Sequence, residues 1–208
     1  MKLYGYWRSS ATWRARIVLH HKRLAFEYVP VHLVRDGGEQ NAPAHLARNA
    51  MGQVPVLEHN GAFISQSLAI AEYLEELHPQ PSILPGDVLQ RARARQLAEV
   101  VNAGIQPLQN LSVLNHLGDL GEDKAQWARH FIARGFDALE EMAVVCAGAC
   151  LVGDAVSVAD ACLVPQVYNA RRFSLDMARW PTLTRVDAHL AQLDAFVAAH
   201  ADNQTDAG

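Results

Sequence analysis

The hydrophobic pattern of the first 79 residues changes repeatedly between strand-like and helix-like spacing. Short segments alternate side chains with a period of two, as half-buried strands do, and longer segments place apolar side chains on one helical face. A turn at Asn60-Gly61, a pair that tolerates positive φ, joins two of the strands into a hairpin. The pattern therefore predicts an α/β domain whose strands and helices follow in the order strand 2–7, helix 11–21, strand 26–31, strands 54–57 and 62–64, and helix 66–78.

Beyond this domain the pattern becomes helical. The segment 79–86 is rich in proline and glycine and cannot continue a helix, so we expect a connector there. Ser157 and Asp160 have the spacing of a capping box at the start of a helix. The last residues, 201–208, are small and polar and are expected to form a frayed tail. The predicted domains are 1–79, a linker at 80–86, and an all-α domain at 87–208 with helices over 87–117, 123–147, 157–171 and 182–199.

Composition excludes several classes of function. Half of the 208 residues are hydrophobic, and the formal net charge of −4 provides no basic field for nucleic acid or an anionic membrane. The longest apolar stretch, 142–153, is too short for a membrane span, which needs about 20 residues. The first residues lack the apolar run of a signal peptide. We therefore expect a cytoplasmic protein that binds neither nucleic acid nor membrane.

Cysteine and histidine spacing argues against metal and redox chemistry. The three cysteines, Cys146, Cys150 and Cys162, form no CxxC pair, and the ten histidines form no HxxxH or HExxH motif. Cys146 and Cys150 could share a helix face, but small buried residues in a reducing compartment are the simpler interpretation. The sequence predicts no bound metal.

The junction between the first strand and the first helix carries candidate chemistry. Ser9 and Ser10 lie where the first backbone N–H groups of the helix have no intrahelical partners. One interpretation is an N-cap and nothing more. The alternative is that a bound thiol meets the helix terminus and a serine hydroxyl there, which together lower its pKa and hold it as a thiolate.

Two further segments have both a structural and a functional interpretation. Pro55 precedes a strand, and a cis bond at Val54-Pro55 would expose the backbone of Val54 to an extended peptide. Gln66 and Ser67 begin the next helix, where backbone and side-chain donors can bind a carboxylate. A simple strand start and a plain helix cap are the corresponding alternatives.

Taken together, these segments resemble the zeta class of glutathione transferases, the class of the maleylacetoacetate and maleylpyruvate isomerases. The resemblance extends over roughly residues 2–200, and its motifs here are Arg8–Arg14, Gln53-Val54-Pro55, Gln66-Ser67 and Gly104–Leu114. It implies the glutathione transferase fold, in which the α/β domain is thioredoxin-like and glutathione-binding. It also implies a homodimer. The glutathione contacts it implies are Ser9, Ser10, Ala11, Gln40, Gln53, Val54, Gln66, Ser67, Gln106, Asn110 and Ser112.

The same resemblance implies cis–trans isomerisation of a small dicarboxylate by reversible thiolate addition. Ser9 and Ser10 are the candidates for holding the thiolate, while Arg8 and Arg172 are the candidates for the substrate carboxylates, since guanidinium binds carboxylate through two hydrogen bonds. Ala11 stands where the class usually has cysteine, which removes any mechanism that uses an enzyme thiol at that position. Maleylacetoacetate and maleylpyruvate both remain open as substrates. Conjugation of glutathione to small electrophiles such as α-haloacids, or glutathione binding without catalysis, are the alternative functions.

Overall fold

The computed structural model describes residues 1–207, apart from the side chain at position 36. These residues form two compact units. The first contains Met1–Ile83 together with the chain from Leu193 onward, and the second contains Leu84–Gln192.

A four-stranded mixed sheet forms the centre of the first unit, in the order β2-β1-β3-β4. β1 pairs in parallel with β2 and antiparallel with β3, and β3 forms a hairpin with β4. At the hairpin turn Asn60 has φ 51° and Gly61 has φ 80°, as the Asn-Gly pair predicts. The strands are β1 (Lys2–Gly5), β2 (Glu27–Pro30), β3 (Val56–His59) and β4 (Ala62–Ser65).

Helices cover this sheet and supply the rest of its core. α1 packs against α3, and both bury aliphatic side chains, among them Ile17 and Leu74. The first strand also ends earlier than the pattern predicts, because the chain turns at residues 6–9 before α1. The helices are α1 (Ser10–His21), α2 (Pro43–Leu46) and α3 (Ser67–Leu77), with 3₁₀ turns at Arg35–Gly37 and Glu39–Asn41.

The second unit is helical throughout. α7 is almost completely buried and packs against α4, while the rings of Phe136 and Trp180 meet edge to face at 5.2 Å between centroids. The Asp160 carboxylate accepts the Ser157 backbone N–H at 2.8 Å, which confirms the predicted capping box. The helices are α4 (Val88–Gly104), α5 (Leu111–Asp119), α6 (Lys124–Val144), α7 (Val158–Arg172) and α8 (Pro181–Leu190), with 3₁₀ turns at Gln106–Gln109 and Met177–Arg179.

The helix predicted over 87–117 is interrupted. α4 ends at Gly104, a 3₁₀ turn containing Pro107 follows, and α5 begins after Asn110. Proline has no N–H to donate and clashes with the preceding turn, so a continuous helix through this point is disfavoured. The general architecture, an α/β thioredoxin-like unit and an all-α unit, is confirmed.

The end of the chain differs from the sequence prediction. α9 (Asp194–Ala199) and a 3₁₀ turn (Ala201–Asn203) pack with the first unit, and α9 lies against α1. Arg16 donates from Nε to the Ala199 carbonyl at 3.1 Å, and Asp206 accepts the Trp7 N–H at 3.0 Å. Residues 193–207 therefore belong to the first unit and not, as the sequence predicts, to the helical domain. Hydrogen bonds to Arg16 and to the Trp7 N–H hold this segment, so it is not the frayed tail that the sequence predicts.

Among the described residues, no helix combines the length and hydropathy that a bilayer crossing needs.

A buried lysine anchors the end of α1. The Nζ atom of Lys22 donates to a Glu75 carboxylate oxygen at 2.6 Å and to the carbonyls of His78 and Pro81 at 2.7 and 3.0 Å. All three ammonium hydrogens therefore have acceptors. Burial alone would raise the pKa of Glu75, but hydrogen bonds from Lys22, Ser82 and the Ile83 N–H lower it.

Replacing Lys22 with methionine should lower the free energy of unfolding by about 3–5 kcal/mol, because the partners of a buried charge are left unpaired. Chemical denaturation measures this. Lys2→Met is the matched control, since Lys2 forms an exposed ion pair with Glu27 at 3.7 Å, and it should cost less than about 1 kcal/mol. Equal losses in the two variants would contradict this account.

Candidate active site

Ser9 lies at the junction of β1 and α1, as the N-cap of the helix. Its Oγ accepts the backbone N–H of Thr12 at 3.3 Å, and its own N–H donates to the Tyr6 carbonyl at 3.0 Å. The capping interpretation of the sequence is therefore correct in itself. A hydroxyl group carries a donor besides its acceptor lone pairs, so capping leaves the Ser9 O–H able to donate to a ligand at the helix terminus.

The neighbours of Ser9 differ in exposure. Ser10 is buried in the first turn of α1, Ala11 is half-buried beside it, and Arg8 is half-buried before it. The Arg8 guanidinium carbon lies 5.1 Å from the centroid of the Trp7 ring. No acidic residue occupies the first turn of α1, so the positive end of the helix dipole has no acidic side chain there to offset it.

The backbone of Val54 is presented by a well-held loop. The Val54-Pro55 peptide bond is cis. The preceding carbonyl, that of Gln53, is bound by the buried side chains of His45 at 3.0 Å and Asn49 at 2.8 Å. Within residues 1–207, no hydrogen bond joins Val54 to another residue. An extended ligand could therefore pair with Val54 as an added strand.

The start of α3 combines an unusual backbone with a buried cation. Gln66 is exposed and has φ 71° and ψ 115°, a left-handed conformation that costs a non-glycine residue on the order of 1–3 kcal/mol. Ser67 follows it, buried, and its Oγ accepts from Nη1 of Arg14 at 3.4 Å. Such strain clusters at binding sites, and the start of this helix has donors for a carboxylate.

Gln40 is the remaining predicted contact in the first unit. Its Nε2 donates to the Leu33 carbonyl at 3.3 Å. Its Oε1 is buried and has no hydrogen-bonded partner among the described residues. An unsatisfied buried acceptor is costly, so a donor from a ligand or water is expected there.

The predicted contacts in the second unit lie around the break between α4 and α5 and at the end of α7. Gln106 is half-buried in the 3₁₀ turn, Asn110 is the N-cap of α5 without a side-chain capping bond, and Ser112 is exposed. Arg172 ends α7, with its guanidinium carbon 4.8 Å from the centroid of the Phe173 ring.

The sequence interpretation missed the buried arginines of α1. Arg14 and Arg16 are both almost fully buried, although the sequence pattern predicts only that apolar side chains of this helix face the core. A signal was present, because two arginines flank Ala15 on a helix whose other central residues are apolar. Their partners, Ser67 for Arg14 and Ala199 for Arg16, are too distant in sequence to be inferred from it.

The three cysteines form no disulfide within residues 1–207, and none belongs to the candidate site. Burial raises the pKa of the Cys150 thiol to about 12, with Asp160 and Asp154 adding to the effect. Burial also raises the pKa of Cys146, whose sulfur donates to the carbonyls of Met142 and Leu151. Among the described residues, no group of three His, Cys, Asp or Glu side chains could hold a metal ion.

Native protein should therefore resist thiol reagents. At neutral pH, Cys150 should react on the order of 10³ more slowly than free cysteine, because the thiolate is the reactive form. Titration with a chromogenic disulfide measures this, and the same protein in denaturant should show all three thiols reacting quickly. Fast labelling of Cys150 in the folded protein would contradict the account.

The chain is similar to a large group of known proteins. The family model described as glutathione S-transferase, N-terminal domain, matches residues 1–76. A protein of Drosophila melanogaster named probable maleylacetoacetate isomerase 2 is 48% identical over 204 residues, which cover 98% of this chain and 89% of that protein.

Solved structures extend the similarity. The maleylacetoacetate isomerase of Anaeromyxobacter dehalogenans, with bound GSH in its active site, has a TM-score of 0.91 and 52% identity, covering 100% of this chain and 97% of its own. Another structure of that protein, with dicarboxyethyl glutathione and citrate in the active site, has a TM-score of 0.90, 51% identity and the same coverage. A bacterial maleylpyruvate isomerase described as a zeta-class glutathione S-transferase has a TM-score of 0.96 and 39% identity, covering 100% of both chains.

Proposed function

The chain belongs to the maleylacetoacetate isomerase family, the zeta class of glutathione transferases, and we propose that it converts a maleyl-type cis diketo acid to the fumaryl trans isomer. It is a glutathione-dependent enzyme. The observation that carries the proposal is the Ser9 hydroxyl at the start of α1, which accepts the Thr12 N–H and keeps its own proton available to donate to a ligand.

The groups of the first unit suit a tripeptide that carries a thiol and carboxylates. The unpaired backbone of Val54 suits a peptide backbone, and the start of α3 at Gln66 and Ser67 suits an α-carboxylate. The orphaned Oε1 of Gln40 suits an N–H or ammonium donor. We assign the sulfur to the Ser9 end, with Ser10 and Ala11 beside it, and the γ-glutamyl end to Gln66 and Ser67.

Ser9 and the helix terminus would keep the thiol ionised. A cysteine-like thiol has a pKa of about 8.5, so it is mostly protonated at neutral pH. A hydroxyl donor and the positive end of a helix dipole both favour the anion and lower that pKa. When bound, glutathione supplies a thiolate whose reversible addition to the cis double bond permits rotation before elimination restores the alkene.

The chain's own part in that reaction is charge stabilisation and orientation. A maleyl diketo acid carries two carboxylates, and Arg8 and Arg172 are the arginines we assign to them, by bidentate hydrogen bonding. Negative charge also develops on a substrate oxygen during addition, where cationic or N–H donors stabilise it. Gln53, Gln106, Asn110 and Ser112 remain proposed contacts to glutathione.

The relatives support a dicarboxylate as the class of substrate. The dicarboxyethyl glutathione bound by the Anaeromyxobacter dehalogenans protein combines glutathione with a two-carboxylate group in one ligand. The proposed cytoplasmic location rests on three cysteines that form no disulfide in the part of the chain that the structure describes, which suits a reducing compartment. The assignment as a homodimer rests on the resemblance to the zeta class.

The test is loss of the cis substrate's absorbance, measured with maleylacetoacetate and maleylpyruvate in parallel, with and without glutathione. We expect rapid glutathione-dependent turnover of at least one substrate. Ser9→Ala should lower kcat by about 10²–10³-fold, the effect of removing one stabilising donor. Ser9→Thr is the matched control, since it keeps the hydroxyl and should retain most activity.

The free energy of unfolding of these variants distinguishes the loss of catalysis from the loss of the helix cap. Ser9→Ala should also lose about 0.5–2 kcal/mol of stability through the missing cap, which leaves it folded at assay temperature. Absence of turnover with either substrate, despite glutathione binding by the folded wild-type protein, would refute the isomerase and leave conjugation to electrophiles as the function.

A further inference from the structure

Asp206, close to the end of the chain, binds the turn that precedes Ser9. One oxygen of its carboxylate accepts two hydrogen bonds, from the Trp7 backbone N–H at 3.0 Å and from the Tyr28 hydroxyl at 3.2 Å. Trp7 and Asp206 are separated by 199 positions. The carboxylate therefore links the end of the chain to β2 and to the β1–α1 junction in the same unit.

The backbone carbonyl of Trp7 is also hydrogen-bonded. Its carbonyl accepts from Nη2 of Arg16 at 2.7 Å, and the same guanidinium donates from Nε to the Ala199 carbonyl at 3.1 Å. Arg16 is fully buried and lies over the Tyr28 ring, 5.6 Å from its centroid. Both the N–H and the C=O of Trp7 thus depend on groups that the tail and α1 supply.

These bonds orient a turn whose central peptide could otherwise rotate. The Ser9 N–H donates to the Tyr6 carbonyl, so Trp7 and Arg8 are the middle residues of a four-residue turn. The common turn types differ mainly in the orientation of that middle peptide group. The Trp7 carbonyl belongs to that middle peptide group and is held by Arg16, while the Trp7 N–H belongs to the peptide group before it and is held by Asp206. The two bonds together set the direction in which Arg8 and Ser9 leave the turn.

We infer that Asp206 is a positioning residue of the active site, which acts by holding the Trp7 N–H and so the first peptide group of the turn that leads to Arg8 and Ser9. The inference rests on the proposed function for its catalytic consequence. Its geometric part, that Asp206 holds Trp7, stands independently of the reaction.

Asp206 also favours the charged form of Arg16, and this electrostatic effect is distinct from the hydrogen bond that Asp206 accepts from the Trp7 N–H. Burial lowers the pKa of Arg16 to about 10, while Tyr28 and Asp206 favour its charged form. Burial, opposed by Arg16 and reinforced by Asp206, raises the pKa of Tyr28. Replacing Asp206 with asparagine removes the charge but keeps an oxygen that can accept the Trp7 N–H.

The experiment compares Asp206→Ala and Asp206→Asn with Asp202→Ala, the control. Asp202 is an exposed carboxylate in the same segment, 3.8 Å from a His200 nitrogen. Asp206→Ala should lower kcat by up to about 100-fold, the cost of a small misplacement of reacting groups. The KM for glutathione should change much less, and the acidic limb of the pH–rate profile should move to higher pH. Asp206→Asn should recover most of kcat, and Asp202→Ala should match the wild type.

Hydrogen exchange at the Trp7 amide decides the geometric part without reference to activity. Exchange should be faster in Asp206→Ala than in Asp202→Ala or the wild type. A folded Asp206→Ala protein with unchanged Trp7 exchange, or with unchanged kcat and pH profile in an active wild-type background, would overturn the inference. If Asp206→Ala does not fold, Tyr28→Phe decides, because it removes one of the two donors to Asp206 and should accelerate Trp7 exchange. Absence of isomerisation by the wild type refutes the proposed function alone.

Discussion

The hydrogen bond that the Thr12 amide donates to Ser9 fixes a hydroxyl group at the positive end of α1. That bond satisfies one of the N–H groups that every helix start leaves unpaired, and it leaves the Ser9 proton able to be donated outward. The surrounding structure holds this arrangement in place. β1 leads into the turn, Arg16 binds the Trp7 carbonyl, Asp206 binds the Trp7 N–H, and α3 and α9 pack against α1. A site that must stabilise an anion benefits from donors that need no reorganisation when the charge appears.

Local sequence patterns predicted the parts of this fold that depend on local physics. The Asn60-Gly61 turn, the capping box at Ser157 and Asp160, and the mixed order of strands and helices each follow from residues close together in the chain. The helical break around Pro107 could also have been predicted from sequence, since proline disfavours helix continuation. It was missed because the helical spacing of apolar residues continues on both sides of the proline. The partners of Arg16 and the ordered end of the chain could not be predicted from sequence. Asp206 meets Trp7 across almost the whole chain, and only tertiary packing brings them together.

The same difference between local and long-range interactions applies to the residues that we propose bind glutathione. Ser9, Val54, Gln66 and Ser67 come from motifs at the ends of helices and strands, where unpaired backbone groups are expected from sequence. The residues that support them, His45 and Asn49 at the Gln53 carbonyl and Arg14 at Ser67, were not predicted, and Arg14 and Ser67 are 53 positions apart. Ala11 in place of the family cysteine fits this assignment, since the nucleophile is proposed to come from glutathione. Burial raises the pKa of the Cys146 and Cys150 thiols in the helical unit, which makes these two cysteines poor nucleophiles.

The most direct measurement is the pKa of the glutathione thiol bound to the wild-type protein, obtained by titrating thiolate absorbance against free glutathione. Stabilisation of the anion at the start of α1 predicts a value about two units below the unperturbed value of about 8.5, which corresponds to about 2.7 kcal/mol of preference for the thiolate. A bound thiol that titrates at or above the value for free glutathione would contradict the central claim that this helix terminus and Ser9 generate the nucleophile.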